Sequence, residues 1–224
     1  ADEAGSALLQ SLVEHVEEIP SVPVMVTMLA LPPSAVTGPL PFDMADVRGH
    51  AVLHKVCHSV APSGHHTFVL YSTAEFARER ADTHGSSSAA ARMGAASSAD
   101  KEGAVMAEMV GALREAVMAA GGPELDLAEG ALSWGPKLHR WGSAFPGEGP
   151  NADKILELSD AVADDMRLLL CGDFLPLGDE AAGAGVRTGQ VEASVLSAMR
   201  AADRILRVLE DRAACGERDT PAKY

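Results

Sequence analysis

The chain has 224 residues, 47% of them hydrophobic but only 4% aromatic, enough to bury one substantial core or two small ones. Its formal net charge is -14, from 32 acidic and 18 basic residues, and that balance excludes nucleic acid and anionic membrane surfaces as natural partners, because both need clustered Lys and Arg. No apolar run approaches the roughly 18–20 residues that span a bilayer; with 21 Gly and 13 Pro the composition points to a mixed α/β or α+β protein with many turns.

In chain order, SALLQSLVEHVEEI carries a helical stripe at Leu8, Leu9, Leu12, Val13 and Val16, stopped by Pro20 and Pro23. The start lacks Met and a basic segment, so the expectation is a removed leader or a sequence that begins inside a longer chain. VMVTMLAL reads as a strand closed by Pro32-Pro33, followed by a proline-rich connection. HAVLHKVCHSV and, after the turn APSGH, HHTFVLYS read as two more strands. TAEFARERADTHG opens a helix with Thr73 as its N-cap. Residues 85–103 are low in complexity and read as a surface insertion. From Ala104 an amphipathic helix runs to Gly121-Gly122. GALSWGPKLHRWGSAFPG is turn and strand material, and NADKILELSDAVADDM is a short helix leading into a strand at RLLLC.

Leu168, Leu169 and Leu170 form the continuous apolar run expected of a strand buried on both faces. Gly172 would let a backbone approach a ligand, and Asp173 would place a carboxylate at the strand's carboxyl end, where open α/β sheets bind ligands. A final helix, from about Gln190 to Ala213, carries the stripe Val191, Val195, Ala198, Met199, Ala202, Ile205 and Leu209. Its first turn offers unpaired N–H groups and the positive end of the helix dipole. Residues 214–224 form a tail.

Three stretches together carry a resemblance. CGD followed by TGQVEASVLSAMRAADRIL, TFVLYSTAEFARER, and LHRWGSAFPG resemble, in order and spacing, segments of renalase-like NAD(P)/FAD-dependent oxidoreductases of the flavin amine oxidase superfamily. The likeness runs over approximately residues 5 to 212. It implies a mixed α+β fold: a substrate-domain sheet with flanking helices in residues 1–150, and in 151–213 the returning strand and helix of an FAD-binding domain. It also implies FAD as cofactor, with no metal, and hydride transfer from a small nitrogen-containing or dihydropyridine-like substrate. By the same resemblance Gly172 and Asp173 lie at the flavin ribityl–pyrophosphate region. Gln190, Val191 and Glu192 begin the helix whose amides face the pyrimidine edge, and Trp141 and Pro146 lie on the substrate side. Ser194, Ala198 and Phe76 depart from the residues usual there, and the loop from Leu175 to Thr188 is longer.

The strand–G-x-G-x-x-G–helix cradle of such proteins is not in these 224 residues; GAGVRTG, at 183–189, has the wrong spacing. The resemblance therefore covers the C-terminal two-thirds of such an enzyme. The rival expectation is a non-catalytic interaction or scaffold subunit of a larger complex, with a protein partner or an N-terminal segment completing the fold. Compartment is not encoded; a cytoplasmic or organellar chain fits equally.

Of the other constellations, His50, His54 and His58 are spaced by four, which on a strand puts them on one face. With no carboxylate or thiolate in a ligand pattern around them, they read as structural or solvent-facing histidines. Cys57 and Cys171 sit in apolar runs and read as buried thiols; with Cys215 they define no disulfide framework. Ser194, Ser197, His139 and Asp173 can be written as a hydrolase triad, but no G-x-S-x-G elbow is present.

Overall fold

The computed structural model describes residues 3–85, 92–94, 97–147, 152–166, 168–172, 175 and 191–214. The chain divides into two compact units, one continuous over Val22–Ala144 and one assembled from Ala1–Ser21 and Phe145–Tyr224. The grouping thus differs from a single region over 1–150: the first helix belongs with the C-terminal segment. The reason lies in its stripe, because Leu8, Leu12 and Val16 find their apolar partners in Ile155, Leu158 and Val162.

The fold is mixed α+β. The sheet unit is built on five strands: β1 (Ser21–Leu31), β2 (Met44–Asp46), β3 (Leu53–Val60), β4 (His66–Ser72) and β5 (Trp134–Pro146), in the order β2-β3-β4-β1-β5. The β1–β4, β2–β3 and β3–β4 pairings are antiparallel. Strand β2 follows directly on the proline-rich connection, in a stretch that shows no strand pattern in sequence; three residues are too few for a periodicity to show. Two helices flank the sheet, α2 (Ala74–Glu79) and α3 (Ala99–Ala119). Thr73 caps α2 as expected, its hydroxyl accepting from the Phe76 N–H at 3.2 Å. Helix α3 starts five residues earlier than its apolar stripe suggests, inside the low-complexity stretch. The Ser98 hydroxyl accepts from Lys101 N–H, and Asp100 and Glu102 complement the first-turn dipole. Gly121, with φ of 73°, ends the helix in the left-handed conformation that glycine adopts without strain.

One face of the sheet and one face of α3 make the main core. Met25, Leu29, Leu31, Leu53, Val56, Phe68, Leu70 and Leu138 meet Val105, Met109, Leu113 and Val117. Each such side chain is worth about 1.5–3 kcal/mol when fully buried, so this layer dominates the unit's stability. Two glycines are sterically required: a Cβ on Gly85 would sit 1.8 Å from the Leu138 carbonyl oxygen, and one on Gly135 2.6 Å from that of Met28.

The second unit contains α1 (Glu3–Glu17), α4 (Ala152–Met166) and α5 (Val191–Ala214). Leu12, Ile155, Leu158, Val162 and Leu175 form its core. Two arginines of α5 converge on one carboxylate of α4: Arg200 and Arg204 donate to Asp160 at 2.5 and 2.9 Å.

Two expectations fail here. Leu168–Cys171 is not a strand. Consequently Leu168 and Cys171 are exposed rather than buried on both faces. A parallel strand exists only through neighbours to pair with, and the described residues of this unit offer helices instead. The stripe of α5 is also not the face it buries. Ser194, Ser197, Ala201 and Arg204 turn inward, while Val195, Met199, Ile205 and Leu209 are exposed.

Candidate functional site

The sheet has a second face, opposite the one that packs on α3. Side chains alternate along a strand, so the partners of the core residues define it. Met28 of β1 stands opposite Val69 of β4, which stands opposite Cys57 of β3, which stands opposite Met44 of β2. A second row joins Val26, Tyr71 and Lys55. On β5, Leu138 lies in the core, which sends His139 and Trp141 to this second face. The His139 and Trp141 rings meet edge-on with centroids 4.6 Å apart, and Trp141 remains 53% exposed. Pro146, the last residue of β5, is half-buried. This face carries Met, Val and Cys with a tryptophan, a tyrosine, a histidine and Lys55; Val26 is buried, and Met28, Cys57, Val69 and Tyr71 are half-buried. It suits a flat organic ring, which aromatic neighbours hold by stacking or edge contact.

The helical unit, taken by itself, has a bend at Cys171-Gly172 that precedes α5 in the chain. The Gly172 N–H donates to the Ser197 hydroxyl at 3.0 Å, and that hydroxyl lies 3.0 Å from the carbonyl oxygens of both Gly172 and Ser194. Ser197 is buried, and its single proton serves one of those two carbonyls at a time. The serine therefore clasps the Cys171-Gly172 turn to the second turn of α5. Val191 opens the helix and Glu192 follows in its first turn, where backbone N–H groups lack intrahelical acceptors. Such an end stabilises developing negative charge. Asp173 and Gln190 lie outside the described residues. Sequence reasoning weighs Ser197 only as a triad member. Its positioning role could have been seen from its place one turn after Ser194, on the face that carries no large apolar residue.

The clasp also disposes of the hydrolase arrangement, since the Ser197 hydroxyl is committed to backbone. Cys57 is half-buried on the second sheet face, not enclosed.

The histidines do not share a face. A register irregularity between Leu53 and Lys55 inserts a residue and reverses the alternation, so that His54 points outward and His58 into the sheet's core side. His50 precedes the strand: its Nδ1 accepts from Val52 and Leu53 N–H at 3.0 and 3.2 Å, and its Nε2 meets Glu115 at 3.2 Å. His58 Nε2 meets His66 Nδ1 at 3.0 Å. Burial, and then the neighbouring His66, hold the His58 pKa below its ordinary value; Asp43 and the Phe42 backbone act in the other direction. Among the described residues no group of three or more His, Cys, Asp or Glu converges as a metal centre, and no helix is long and apolar enough to cross a membrane.

No protein-family model matches the chain, and no curated protein matches it.

Proposed function

We propose that the chain belongs to a flavin-dependent oxidoreductase of renalase-like, amine-oxidase type. In this reading the second sheet face is the substrate wall, with Trp141 its principal aromatic contact and Pro146 at its end. The Gly172–Asp173 turn serves the ribityl–pyrophosphate region of FAD, and the α5 start, Gln190–Glu192, serves its pyrimidine edge. The isoalloxazine would accept hydride from a small nitrogen-containing or dihydropyridine-like substrate and pass electrons to oxygen.

What supports the reading is the Ser197 clasp, because it ties Gly172 to the helical turn of Ser194 and Ser197, and the resemblance assigns the stretches that hold Gly172 and Ser194 to one cofactor. The fit is partial: first-turn N–H donors suit the pyrimidine edge, whereas the described residues supply no strand leading into the turn and no dinucleotide cradle. The roles left to this chain are to hold the turn, to present N–H donors, and to offer the aromatic sheet face. The test is the visible absorbance of the purified protein after FAD addition and desalting. Retained flavin bands, weakened by Ser197→Ala, support the reading; a protein that stays colourless at saturating FAD overturns it for this chain.

A second reading, a scaffold or interaction subunit of a larger complex, is favoured by the outward apolar face of α5. Met199 is 59% exposed, and Val195, Leu206 and Leu209 lie open beside it. Large exposed apolar surfaces mark association. Stoichiometric co-purification with another polypeptide, abolished by Met199→Gln with Leu206→Gln, would distinguish it.

A further inference from the structure

We propose that His58 and His66 form a proton-operated latch at the tip of the β3–β4 hairpin, closed while the two rings hold at most one added proton and released when both are charged. The facing nitrogens, His58 Nε2 and His66 Nδ1, are 3.0 Å apart, with the ring planes 20° from parallel. A hydrogen bond there needs one N–H and one lone pair. Two neutral rings supply them. So does a pair with one added proton, carried on an outer nitrogen. With both rings charged every nitrogen bears a proton, so the bond has no acceptor and two cations face each other.

The first proton goes to His66, which is half-buried and partly hydrated. The second must go to His58, whose side chain is only 5% exposed and lies against the Phe68 ring with centroids 5.0 Å apart. Its outer nitrogen, Nδ1, is buried and makes no hydrogen bond. The Asp43 carboxylate stands 3.9 Å away, too far to bond it, and is almost fully exposed, so water screens its attraction. The other groups around the ring offer no counter-charge. Helix α3 turns Val105, Met109, Leu113 and Val117 to the sheet, while its Glu115 meets His50; Asp46 of β2 is taken by Lys55. His65 bonds Ser63.

Backbone bonds converge on this spot. The His58 N–H donates to the Asp43 carbonyl at 2.7 Å, fixing the entry to β2. The Ala61 N–H donates to the His65 carbonyl at 2.9 Å and the Gly64 N–H to that of Ala61 at 2.8 Å, closing the tip. His66 stands opposite Val60 in the last pair of the hairpin. Driving the rings apart therefore opens the tip and the β2 entry first and leaves the layer between α3 and the sheet in place.

The test is amide hydrogen exchange of the full chain from neutral to mildly acidic pH, compared at each pH with His58→Phe, which keeps a buried ring and removes its proton site. We expect opening at Ala61 and Gly64 to rise, relative to that variant, by up to about tenfold for each pH unit below the ordinary histidine value of about 6.5, while Leu113 on α3 keeps its protection. His66→Gln, which leaves a single titrating ring, should show a smaller rise. Exchange at Ala61 and Gly64 that matches His58→Phe at every pH would overturn the latch. So would a rise at Leu113 as large as that at Ala61, since the whole unit would then be unfolding. If His58→Phe does not fold, His66→Gln decides, and an undiminished rise there overturns the proposal. FAD plays no part in this readout, so its outcome is independent of the flavin reading.

Discussion

In the sheet unit, α3 turns Val105, Met109, Leu113 and Val117 toward a sheet face of matching residues. In the other unit, α5 turns Ser194, Ser197, Ala201 and Arg204 inward and leaves Val195, Met199 and Leu209 exposed. Both helices are amphipathic in sequence, yet only the first buries its apolar side. The difference teaches that an apolar stripe states a requirement, not a location: α3 has a sheet to meet it, whereas α5 is held by a polar grip. That grip consists of the Arg200 and Arg204 fork on Asp160 and the serine clasp on Gly172. It sets position by geometry, and the apolar side stays available for a further layer.

The contrast can be broken most strongly in the sheet unit. Leu113 is fully buried against the sheet, and Leu113→Ala should destabilise the unit by about 2–5 kcal/mol. Denaturant unfolding followed by hydrogen exchange should show protection lost across β1, β3 and β4 while α1 and α4 keep theirs. Next comes Ser197→Ala, which leaves the Gly172 N–H without its acceptor and should cost about 1–3 kcal/mol. Exchange at Gly172 should quicken, whereas exchange in the sheet should stay as it was; an unchanged Gly172 would show that the clasp does not hold the turn.

A pH series sharpens the comparison from the histidine side. The His58 pKa in the folded protein is lowered from an unfolded value of about 6.5. Folding therefore favours the neutral ring, and this contribution is complete above that value and lost as pH falls toward the folded pKa. The sheet unit should melt at lower temperature as pH drops below about 6.5, and His66→Gln should lessen that slope because it removes the neighbouring imidazole while the burial remains. The smallest effect belongs to Met199→Gln: on an already exposed position it should change stability by no more than about 0.5 kcal/mol. Binding of a hydrophobic dye should nonetheless fall. A large loss of stability would mean that the apolar side of α5 is covered in solution.

Much of the sheet unit was legible in the chain itself. Thr73 stands where a cap is needed, Gly121 where a helix must end, and β1, β3 and β4 announce themselves by runs of Val, Leu and Met between turn residues. These are local signals, set by rotamers, caps and backbone φ within a few residues. The aromatic side of β5 was legible only as a resemblance; the sheet order places His139 and Trp141 on one face with Met28 and Tyr71. The irregularity at Leu53–Lys55 was not legible, since an inserted residue leaves no composition signal, and it alone separates His54 from His58 and brings His58 to His66. Leu168–Leu170 shows the opposite failure: its sequence is strand-like, but a parallel strand is made by neighbours, and its neighbours among the described residues are helices. The amino acids thus determined where elements begin, end and turn, because those choices are local. Which face α5 buries, which histidines meet, and whether an apolar run becomes a strand were decided by tertiary structure, because each depends on partners distant in the chain.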